Sequence, residues 1–111
     1  QIRCGGNGLG GFLTPTGIGT IVEEGKQIIS QEGKRYILEL PMRADLALIY
    51  GHNVDKYGNV IYSKTTRNFN PVMATATNKV IALARKVVEE INPDIVLTPH
   101  IFVDYVVEEA K

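Results

Sequence analysis

Hydrophobic and polar residues alternate in short runs along the chain, and two early runs predict a β-hairpin. Residues 27–30 and 35–40 are rich in Ile, Leu and Tyr, and the residues between them include Gly33. Two strand-like runs joined by a glycine-containing connection are typical of an antiparallel hairpin. We therefore expect a pair of strands over residues 27–40.

Further along, the pattern predicts two more strands and a short helix. Residues 46–50 form a continuous apolar run, which is typical of a buried central strand, and residues 60–63 form a second short run. Asn70 and Pro71 favour a helix start, because Asn can accept hydrogen bonds from the free N–H groups and Pro has no N–H to satisfy. We place this helix at residues 71–77.

The stretch after this helix has an apolar stripe at helical spacing. The stripe consists of Val80, Leu83, Ala84, Val87, Val88 and Ile91. On pattern alone it predicts an amphipathic helix that ends at Asn92-Pro93-Asp94. Residues 101–107 then form a β-branched run that contains Asp104 and favours a last strand. The loose alternation of strands and helices predicts an α/β fold.

A glycine-rich segment occupies residues 5–20, with seven glycines, one proline and three threonines. This composition predicts a long shaped loop without a regular helix. Gly6, Gly8 and Gly11 match the G-x-G-x-x-G pattern of dinucleotide-binding loops. That pattern requires a helix directly afterwards, where this chain has a proline and two more glycines, so the match is weak. Successive amides of such a loop can still bind an anion, and the alternative is a tight crossing with no room for side chains.

Composition narrows the possible functions. Lys plus Arg and Asp plus Glu are both 12, so no overall charge favours nucleic acid or anionic lipid. The apolar runs are far shorter than the roughly 18 residues of a membrane helix. Cys4 is the single cysteine of the 111 residues, which suits a reducing compartment, and we expect a cytoplasmic protein of one domain. Because the chain opens on Gln1 and reaches the glycines at once, we expect an N-terminal half to precede it.

Four segments in order resemble a known family. The segments GGNGLGGFLTPTGIGT, RADLALI, KTTRNFNPVMATA and LTPHIFVDYVV resemble the α subunit of bacterial family I CoA-transferases, with the strongest likeness to acetate and acetoacetate CoA-transferases. Four segments in register over nearly the whole chain are far more specific than one glycine motif. The resemblance implies that residues 1–111 are the C-terminal portion of a three-layer α/β/α domain with a mostly parallel sheet. It also implies a strand, instead of a helix, over residues 79–88.

The resemblance also implies the chemistry. In this family a β-subunit glutamate attacks acyl-CoA (acetoacetyl-, butyryl- or acetyl-CoA), and CoA passes through a glutamyl thioester to a short-chain carboxylate such as acetate. That glutamate stands before Asn-Gly, and no Glu of this chain does. We therefore expect a β-subunit partner that carries the nucleophile, CoA as a substrate and no tightly bound cofactor.

Two groups of residues are expected at the substrate cleft by the same resemblance. Backbone amides and neutral amide side chains can stabilise an oxyanion while they leave a nucleophilic carboxylate ionised. The first group, which meets the partner subunit, comprises Gly10, Gly11, Phe12, Thr14, Pro15, Thr16 and Gly17. The second group forms a facing wall of Asn68, Phe69, Asn70 and Pro71. The alternative is structural: Asn70 as a helix cap, the Phe residues as core and the Thr residues as turn formers.

Other reactive side chains do not predict a competing site. His52 and Asp55 are too few to hold a metal, and Cys4 is expected to fill space beside the glycines. His100 stands where the family has Gly, which would strain the backbone if that position needs a positive φ. Two alternative functions stay open: a non-catalytic module that binds a nucleotide or phosphorylated ligand through the glycine loop, and a fragment that serves only to hold subunits together.

Overall fold

The computed structural model describes residues 1–110 and contains two separate sheets. The smaller sheet is antiparallel and consists of β1 (Phe12–Thr14), β2 (Ile28–Gln31) and β3 (Lys34–Glu39), in the order β1-β3-β2. Strands β2 and β3 confirm the predicted hairpin. Glu32 and Gly33 at its tip both have positive φ, 49° and 78°, as a two-residue turn of this kind requires. We call this sheet and its loops, residues 12–39, the arm.

The larger sheet is mostly parallel and forms the body of the molecule. Its strands are β4 (Ala44–Asp55), β5 (Val60–Ile61), β6 (Thr77–Val88) and β7 (Tyr105–Glu108), in the order β5-β4-β6-β7. The pairs β4–β6 and β6–β7 are parallel, and β5 is an antiparallel edge strand. The expected α/β fold with a mostly parallel sheet is therefore confirmed.

Strand β6 corrects the helix predicted from the apolar stripe, and it confirms the strand that the family resemblance implied. The strand lies between β4 and β7. Apolar residues stand on both of its faces, with Val80 and Ala82 on the buried face and Leu83 on the other. A strand that is apolar on both faces appears in the sequence as a continuous run of apolar residues. Any such run also contains apolar residues at helical spacing.

Helix α2 (Asn70–Thr75) confirms the short helix predicted near this position, and it covers one face of the sheet. Its Ala74 packs in the core with residues of β4, β5 and β6. The members of that core are mostly small: Ala47, Ile49, Val54, Val60, Tyr62, Ala74, Val80, Ala82 and Ala84. On the opposite face Leu46, Leu48 and Leu83 are 48%, 68% and 38% exposed. The described residues thus supply the sheet and one of the helical layers.

The glycine-rich segment differs from the predicted loop, because it contains the end of one helix and a strand. Helix α1 (Ile2–Gly6) includes two of the glycines, and β1 begins at Phe12. A Cβ on Gly5 would overlap the carbonyl oxygen of Met42, and one on Gly6 would overlap the hydroxyl of Thr75. These two glycines therefore serve close packing of α1 against its neighbours, which composition alone cannot distinguish from loop flexibility.

The last predicted strand begins later than expected. A 3₁₀ turn occupies His100–Phe102, and β7 starts only at Tyr105. Pro99 precedes the turn in an extended conformation, with φ −64° and ψ 150°. His100 does not take a positive φ, so the strain considered for this position does not arise.

A buried carboxylate, Asp55, fixes the carboxyl end of β4. Its Oδ1 accepts hydrogen bonds from the backbone N–H groups of Tyr57 and Asn59, at 3.0 Å each. Its Oδ2 accepts from the Asn59 side chain at 3.0 Å and from the Ile91 N–H at 3.2 Å. Burial disfavours the charged form, but these donors together outweigh it and hold the pKa of Asp55 below its ordinary value of 3.8.

We predict that Asp55→Ala lowers the free energy of unfolding by about 3 kcal/mol at pH 7, because three backbone donors lose their acceptor. Since the folded-state pKa is lowered, this contribution is complete above the unfolded-chain pKa and is lost as the pH falls through the folded-state pKa. Urea denaturation of wild type and variant between pH 7 and pH 3 measures the difference. The exposed carboxylate variant Asp45→Ala is the control. A difference for Asp55→Ala that stays constant down to pH 3 would contradict the role of the charge.

Candidate functional site

Two hollows lie beside helix α1, and Gln1 and Arg3 line both of them; we refer to the two hollows together as the groove. The first has a volume of about 300 Å³ and is lined by Gln1, Arg3, Cys4, Asn7, Leu9 and Phe12. The second has a volume of about 320 Å³ and is lined by Gln1, Ile2, Arg3, Met42, Asn68, Phe69 and Val72. Because residues from both predicted cleft groups line it, this groove is the candidate site.

The groove brings together three of the predicted residues. Phe12 comes from the start of β1, while Asn68 and Phe69 come from the loop before α2. Phe69 is 66% exposed, so it is not a core residue of the described structure. Phe12 of the arm therefore lines the first hollow, and Phe69 of the body lines the second.

Gly10 and Gly11 lead into β1 next to the groove. Gly11 has φ 152°, and a Cβ there would come within 3.0 Å of the carbonyl oxygen of Glu39. Around Gly10 no atom lies within 4 Å of the place of a Cβ. Gly11 therefore permits the close pairing of β1 with β3, whereas Gly10 has open surroundings.

The rest of the first predicted group lies on the arm, away from the second group. Thr14 pairs with Ile37 of β3, and its hydroxyl accepts a hydrogen bond from the Thr16 N–H at 3.2 Å. Gly17 packs against Val22 and Ile37, in the small core of the arm. Pro15 lines a different hollow, together with Ile18 and the β2–β3 turn. The structure does not bring these residues to the groove.

Asn70 is the first residue of α2 and not its N-cap, which differs from the helix-cap role considered from the sequence. Its Oδ1 accepts a hydrogen bond from the Tyr50 N–H of β4 at 3.1 Å, and its Nδ2 donates to the carbonyl of Thr66 at 2.6 Å. The cap position itself belongs to Phe69, whose side chain makes no capping bond, and Pro71 follows in the first turn of α2. Asn70 thus ties the loop before α2 to the main sheet.

The loop that carries Asn68 and Phe69 begins with a 3₁₀ turn, Lys64–Arg67. Thr66 closes this turn, because its hydroxyl accepts from the Ser63 N–H at 3.1 Å and donates to the Ser63 carbonyl at 2.5 Å. Lys64 has φ 53°, which is unusual for a residue with a side chain. With Asn70 at the other end, the loop is held at both ends.

The groove is apolar with few polar groups. Leu9, Met42 and Val72 line it beside the two phenylalanines, and Arg3 is the one charged side chain among its described lining residues. Such a site can hold a short aliphatic or ketone chain, offer an amide from Asn68 and attract an anion to Arg3. It contains no carboxylate that could act as a nucleophile among these lining residues.

Sequence reasoning missed Arg3, Leu9, Met42 and Val72. Arg3 is separated from the glycines by Cys4 alone, and only the close packing of α1 shows that its segment is a helix beside the groove. Met42 follows Pro41 in the connection from β3 to β4. No local signal marks a residue whose position depends on where two sheets meet.

The competing sites considered from the sequence are not supported by the geometry. The oxygens of Asp55 are occupied by the donors described above, and the nearest polar contact of His52 is Arg85, at 3.5 Å. No group of three metal-binding side chains occurs within residues 1–110.

The Gly6–Gly11 pattern follows a helix and leads into a strand, the reverse of the order that dinucleotide binding needs. Cys4 is buried, and its thiol donates to the carbonyl of Leu9.

No helix in the described part of the chain has the length and apolar character needed to cross a membrane.

Comparison with known proteins identifies close relatives. The chain matches the coenzyme A transferase family over residues 1–109. It is 51% identical to the alpha subunit of the acetate CoA-transferase of Escherichia coli K12, over 100% of this chain and 52% of the relative. It is 50% identical to the alpha subunit of the acetoacetyl-CoA:acetate/butyrate CoA transferase of Clostridium acetobutylicum (98% and 51% covered), and 48% identical to one subunit of the 3-oxoadipate CoA-transferase of Acinetobacter baylyi (96% and 48%). The chain thus spans about half the length of these relatives.

Solved structures show the same fold. An acyl-CoA transferase of E. coli O157:H7, in a thioester complex with CoA, matches 97% of this chain and 25% of its own length, with a TM-score of 0.86 and 21% identity. Glutaconate CoA-transferase of Acidaminococcus fermentans matches 96% and 41%, with a TM-score of 0.82 and 16% identity. The two sheets described above are therefore the fold of this family.

We predict that two asparagines of the same loop differ in their effect on stability. Asn70→Ala removes the acceptor of the Tyr50 N–H and the donor to Thr66, so it should lower the free energy of unfolding by about 2 kcal/mol. Asn68 is exposed and its side chain makes no described hydrogen bond, so Asn68→Ala should change this free energy by less than about 0.5 kcal/mol. Urea denaturation of both variants checks this. Equal effects would show that Asn70 does not anchor the loop.

Proposed function

Because the chain belongs to the coenzyme A transferase family, we propose that it is the C-terminal portion of the α subunit of an enzyme that moves CoA from an acyl-CoA to a short-chain carboxylate. The observation that carries this proposal is the identity to relatives over the whole chain. The relatives at 51% and 50% identity are α subunits whose names specify acetate as a substrate. The 3-oxoadipate transferase subunits are at 48% and 46%. We therefore propose a short-chain carboxylate such as acetate as the acceptor, and acetoacetyl-CoA, butyryl-CoA or acetyl-CoA as the donor.

A β subunit supplies the nucleophilic glutamate in this proposal. Two observations on this chain support it: the described lining of the groove contains no carboxylate, and no glutamate of the sequence precedes Asn-Gly. The glutamate attacks the thioester carbonyl and releases CoA as the thiolate. The CoA thiolate then attacks the glutamyl carbonyl of the resulting anhydride, which gives a glutamyl thioester and releases the acyl group as its carboxylate. Acetate attacks the glutamyl thioester and expels the CoA thiolate, which leaves an anhydride between acetate and the glutamate. The thiolate then attacks the acetyl carbonyl of this anhydride, so that acetyl-CoA forms and the glutamate leaves as a free carboxylate.

The residues of the groove serve binding and charge stabilisation. Phe12, Leu9 and Phe69 contact the apolar part of the acyl-CoA, and Arg3 attracts the incoming carboxylate. Asn68 donates a hydrogen bond to the oxygen that becomes negative when the glutamate attacks. A neutral amide is suited to this role, because it stabilises the oxyanion without forming an ion pair with the nucleophile.

The remaining predicted residues have supporting roles in the proposal. Gly10 and Gly11 let the backbone approach the substrate beside Phe12. The segment from Thr14 to Gly17 lies on the arm, so its contact, at the edge of the cleft, would be with the partner subunit. Asn70 and Pro71 hold the second wall in place from behind. CoA is a substrate here, no cofactor is tightly bound, and we infer that the enzyme works in the cytoplasm.

The direct test uses the full-length α chain purified together with its β subunit. The expected result is transfer of CoA from acetoacetyl-CoA to acetate, with a CoA thioester on a β-subunit glutamate that mass spectrometry detects in the absence of acceptor. A complex that uses 3-oxoadipate much better than acetate would overturn the substrate assignment. A complex without CoA transfer to any carboxylate would overturn the proposed activity.

We predict that Asn68→Ala lowers kcat by about tenfold to a hundredfold, because the oxyanion loses one hydrogen-bond donor. Steady-state kinetics of the α/β complex measure this, and size-exclusion chromatography checks that the complex is intact. Asn78→Ala is the control, because Asn78 is also exposed but lies at the start of β6, outside the groove. If both variants retain full kcat, Asn68 does not contact the reacting oxygen.

A further inference from the structure

The arm contains a hollow of its own, away from the groove. It has a volume of about 630 Å³ and is lined by Pro15, Ile18, Gly33, Lys34, Arg35 and Tyr36. We call it the arm hollow. Sites for small molecules in proteins have volumes of about 300–1,000 Å³, so a ligand of that class fits this space.

The arm hollow exists because β1 stops short of the end of β3. The last pair between the two strands is Thr14 with Ile37, and Pro15 follows without an N–H group that could continue the ladder. The chain then turns, since the Ile18 N–H donates to the Pro15 carbonyl at 3.3 Å. The edge of β3 before Ile37 is therefore left open beside this turn.

Two cations border the arm hollow. Lys34 and Arg35 are both exposed, and neither takes part in an ion pair among residues 1–110. The nearest carboxylate in the sequence, Glu32, is not among the lining residues. Because successive residues of a strand point to opposite faces, the two cations border the hollow from opposite faces of β3. This arrangement fits a ligand with two separate anionic groups.

The rest of the lining is apolar and includes an aromatic residue. Tyr36 is partly buried and lies on the same face of β3 as Lys34, two residues away. Pro15 and Ile18 approach from the turn after β1. Aromatic and aliphatic side chains can hold the flat face of a nucleobase, while cations bind phosphate oxygens. The lining therefore suits a nucleotide that carries phosphate at two positions.

Strand β3 relates the arm hollow to the groove. Phe12, which lines the groove, pairs with Glu39 at one end of β3, and Lys34 stands at the other end. The strand rises about 17 Å between these ends, at about 3.4 Å per residue. In CoA about thirteen bonds join the thioester sulfur to the diphosphate, and they reach about 16 Å at about 1.2 Å per bond. About eight further bonds lead to the 3′-phosphate and extend the path to about 25 Å. CoA is therefore long enough to extend from the groove to the arm hollow.

We propose that the arm hollow binds the nucleotide end of CoA, while the groove holds the thioester end of the same molecule. Arg35 binds the diphosphate with its planar guanidinium group, and Lys34, at the far end of β3, binds the 3′-phosphate. Tyr36, Pro15 and Ile18 contact the adenine. This inference rests on the proposed function, because it concerns the substrate of that site. An acidic surface of the β subunit is the competing occupant, and the experiment separates the two.

The experiment compares two donors on the intact α/β complex: acetoacetyl-CoA, and the acetoacetyl thioester of pantetheine, which lacks the nucleotide. The variants Lys34→Gln and Arg35→Gln each remove one charge and keep a polar side chain on the strand. We expect each variant to raise KM for acetoacetyl-CoA by about tenfold, the effect of losing one charge-assisted hydrogen bond. KM for the pantetheine thioester should stay unchanged. The kcat should stay within about twofold, because the lost contact is equally strong in the ground and transition states.

A further donor, the acetoacetyl thioester of dephospho-CoA, separates the two cations because it lacks the 3′-phosphate. With this donor Lys34→Gln should not change KM, whereas Arg35→Gln should still raise it by about tenfold. Free adenosine 3′,5′-bisphosphate should compete with acetoacetyl-CoA in the wild type and much less in the double variant. Lys56→Gln is the matched control, because Lys56 is an exposed lysine outside the arm and its ion-pair partner is the exposed Glu89.

Several outcomes would overturn the proposal. A KM that stays unchanged, or that rises equally for acetoacetyl-CoA and the pantetheine thioester, would show that the cations do not contact phosphate. An equal effect of Lys34→Gln on the CoA and dephospho-CoA thioesters would contradict the position of the 3′-phosphate. Loss of α/β association in size-exclusion chromatography would assign the cations to the interface between subunits. A wild-type complex with no CoA transfer would remove the proposed function together with this inference, whereas an active wild type with unaffected variants removes the inference alone.

Discussion

The parallel pairing of β4 with β6 is the contact on which the candidate site depends. It runs without a register shift from Ala44 opposite Thr77 to Asp55 opposite Val88. Parallel pairing needs a connection that returns to the same end of the sheet, and here that connection carries β5, the 3₁₀ turn and α2. Alanines on the buried face let α2 lie close to the strands. The start of α2 is thereby placed beside β4, where Asn70 can reach the Tyr50 N–H.

The second wall of the groove follows from this arrangement. Strand β5 pairs with β4 only at Asn53 and Val54, so the Tyr50 N–H is not taken by a neighbouring strand. The Asn70 side chain takes the place of that strand and fixes the loop that ends in Phe69. The exposed side chain of Phe69 is therefore held in place by the hydrogen bonds of the next residue, Asn70. The residue that anchors this segment, Asn70, thus directly follows the two residues that line the hollow, Asn68 and Phe69.

The sequence predicted the features that depend on local chemistry. The hairpin follows from two strand-like runs around Gly33, and the short helix follows from Asn70-Pro71. Features that depend on tertiary packing could not be predicted in this way. The apolar stripe of β6 favoured a helix because a strand with apolar residues on both faces also has apolar residues at helical spacing. Gly5 and Gly6 predicted a loop, although they serve the close approach of α1 to Met42 and Thr75.

For the candidate site, the sequence indicated some of the residues that line the groove and missed others. The family resemblance indicated Phe12, which lines the first hollow, and Asn68 and Phe69, which line the second. Periodicity alone would not have found them, since all three stand in irregular segments or at element ends. Arg3 and Met42 were missed because they approach the groove from a helix and a connection that meet only in the folded chain. Thr14 and Gly17 are adjacent to the groove residues in sequence, but β1 carries them outward along the arm.

The arm gives the molecule its elongated shape, 55 Å by 26 Å by 24 Å, with a radius of gyration of 17.5 Å. A compact domain of this length has a radius of about 13 Å. Phe12 is paired with Glu39 of the arm, and Met42 follows three residues later, whereas Asn68 and Phe69 belong to the body. The groove therefore lies where the arm meets the body. Because Phe12 belongs to the arm and Phe69 to the body, the position of the arm relative to the body determines the distance between the two phenylalanines.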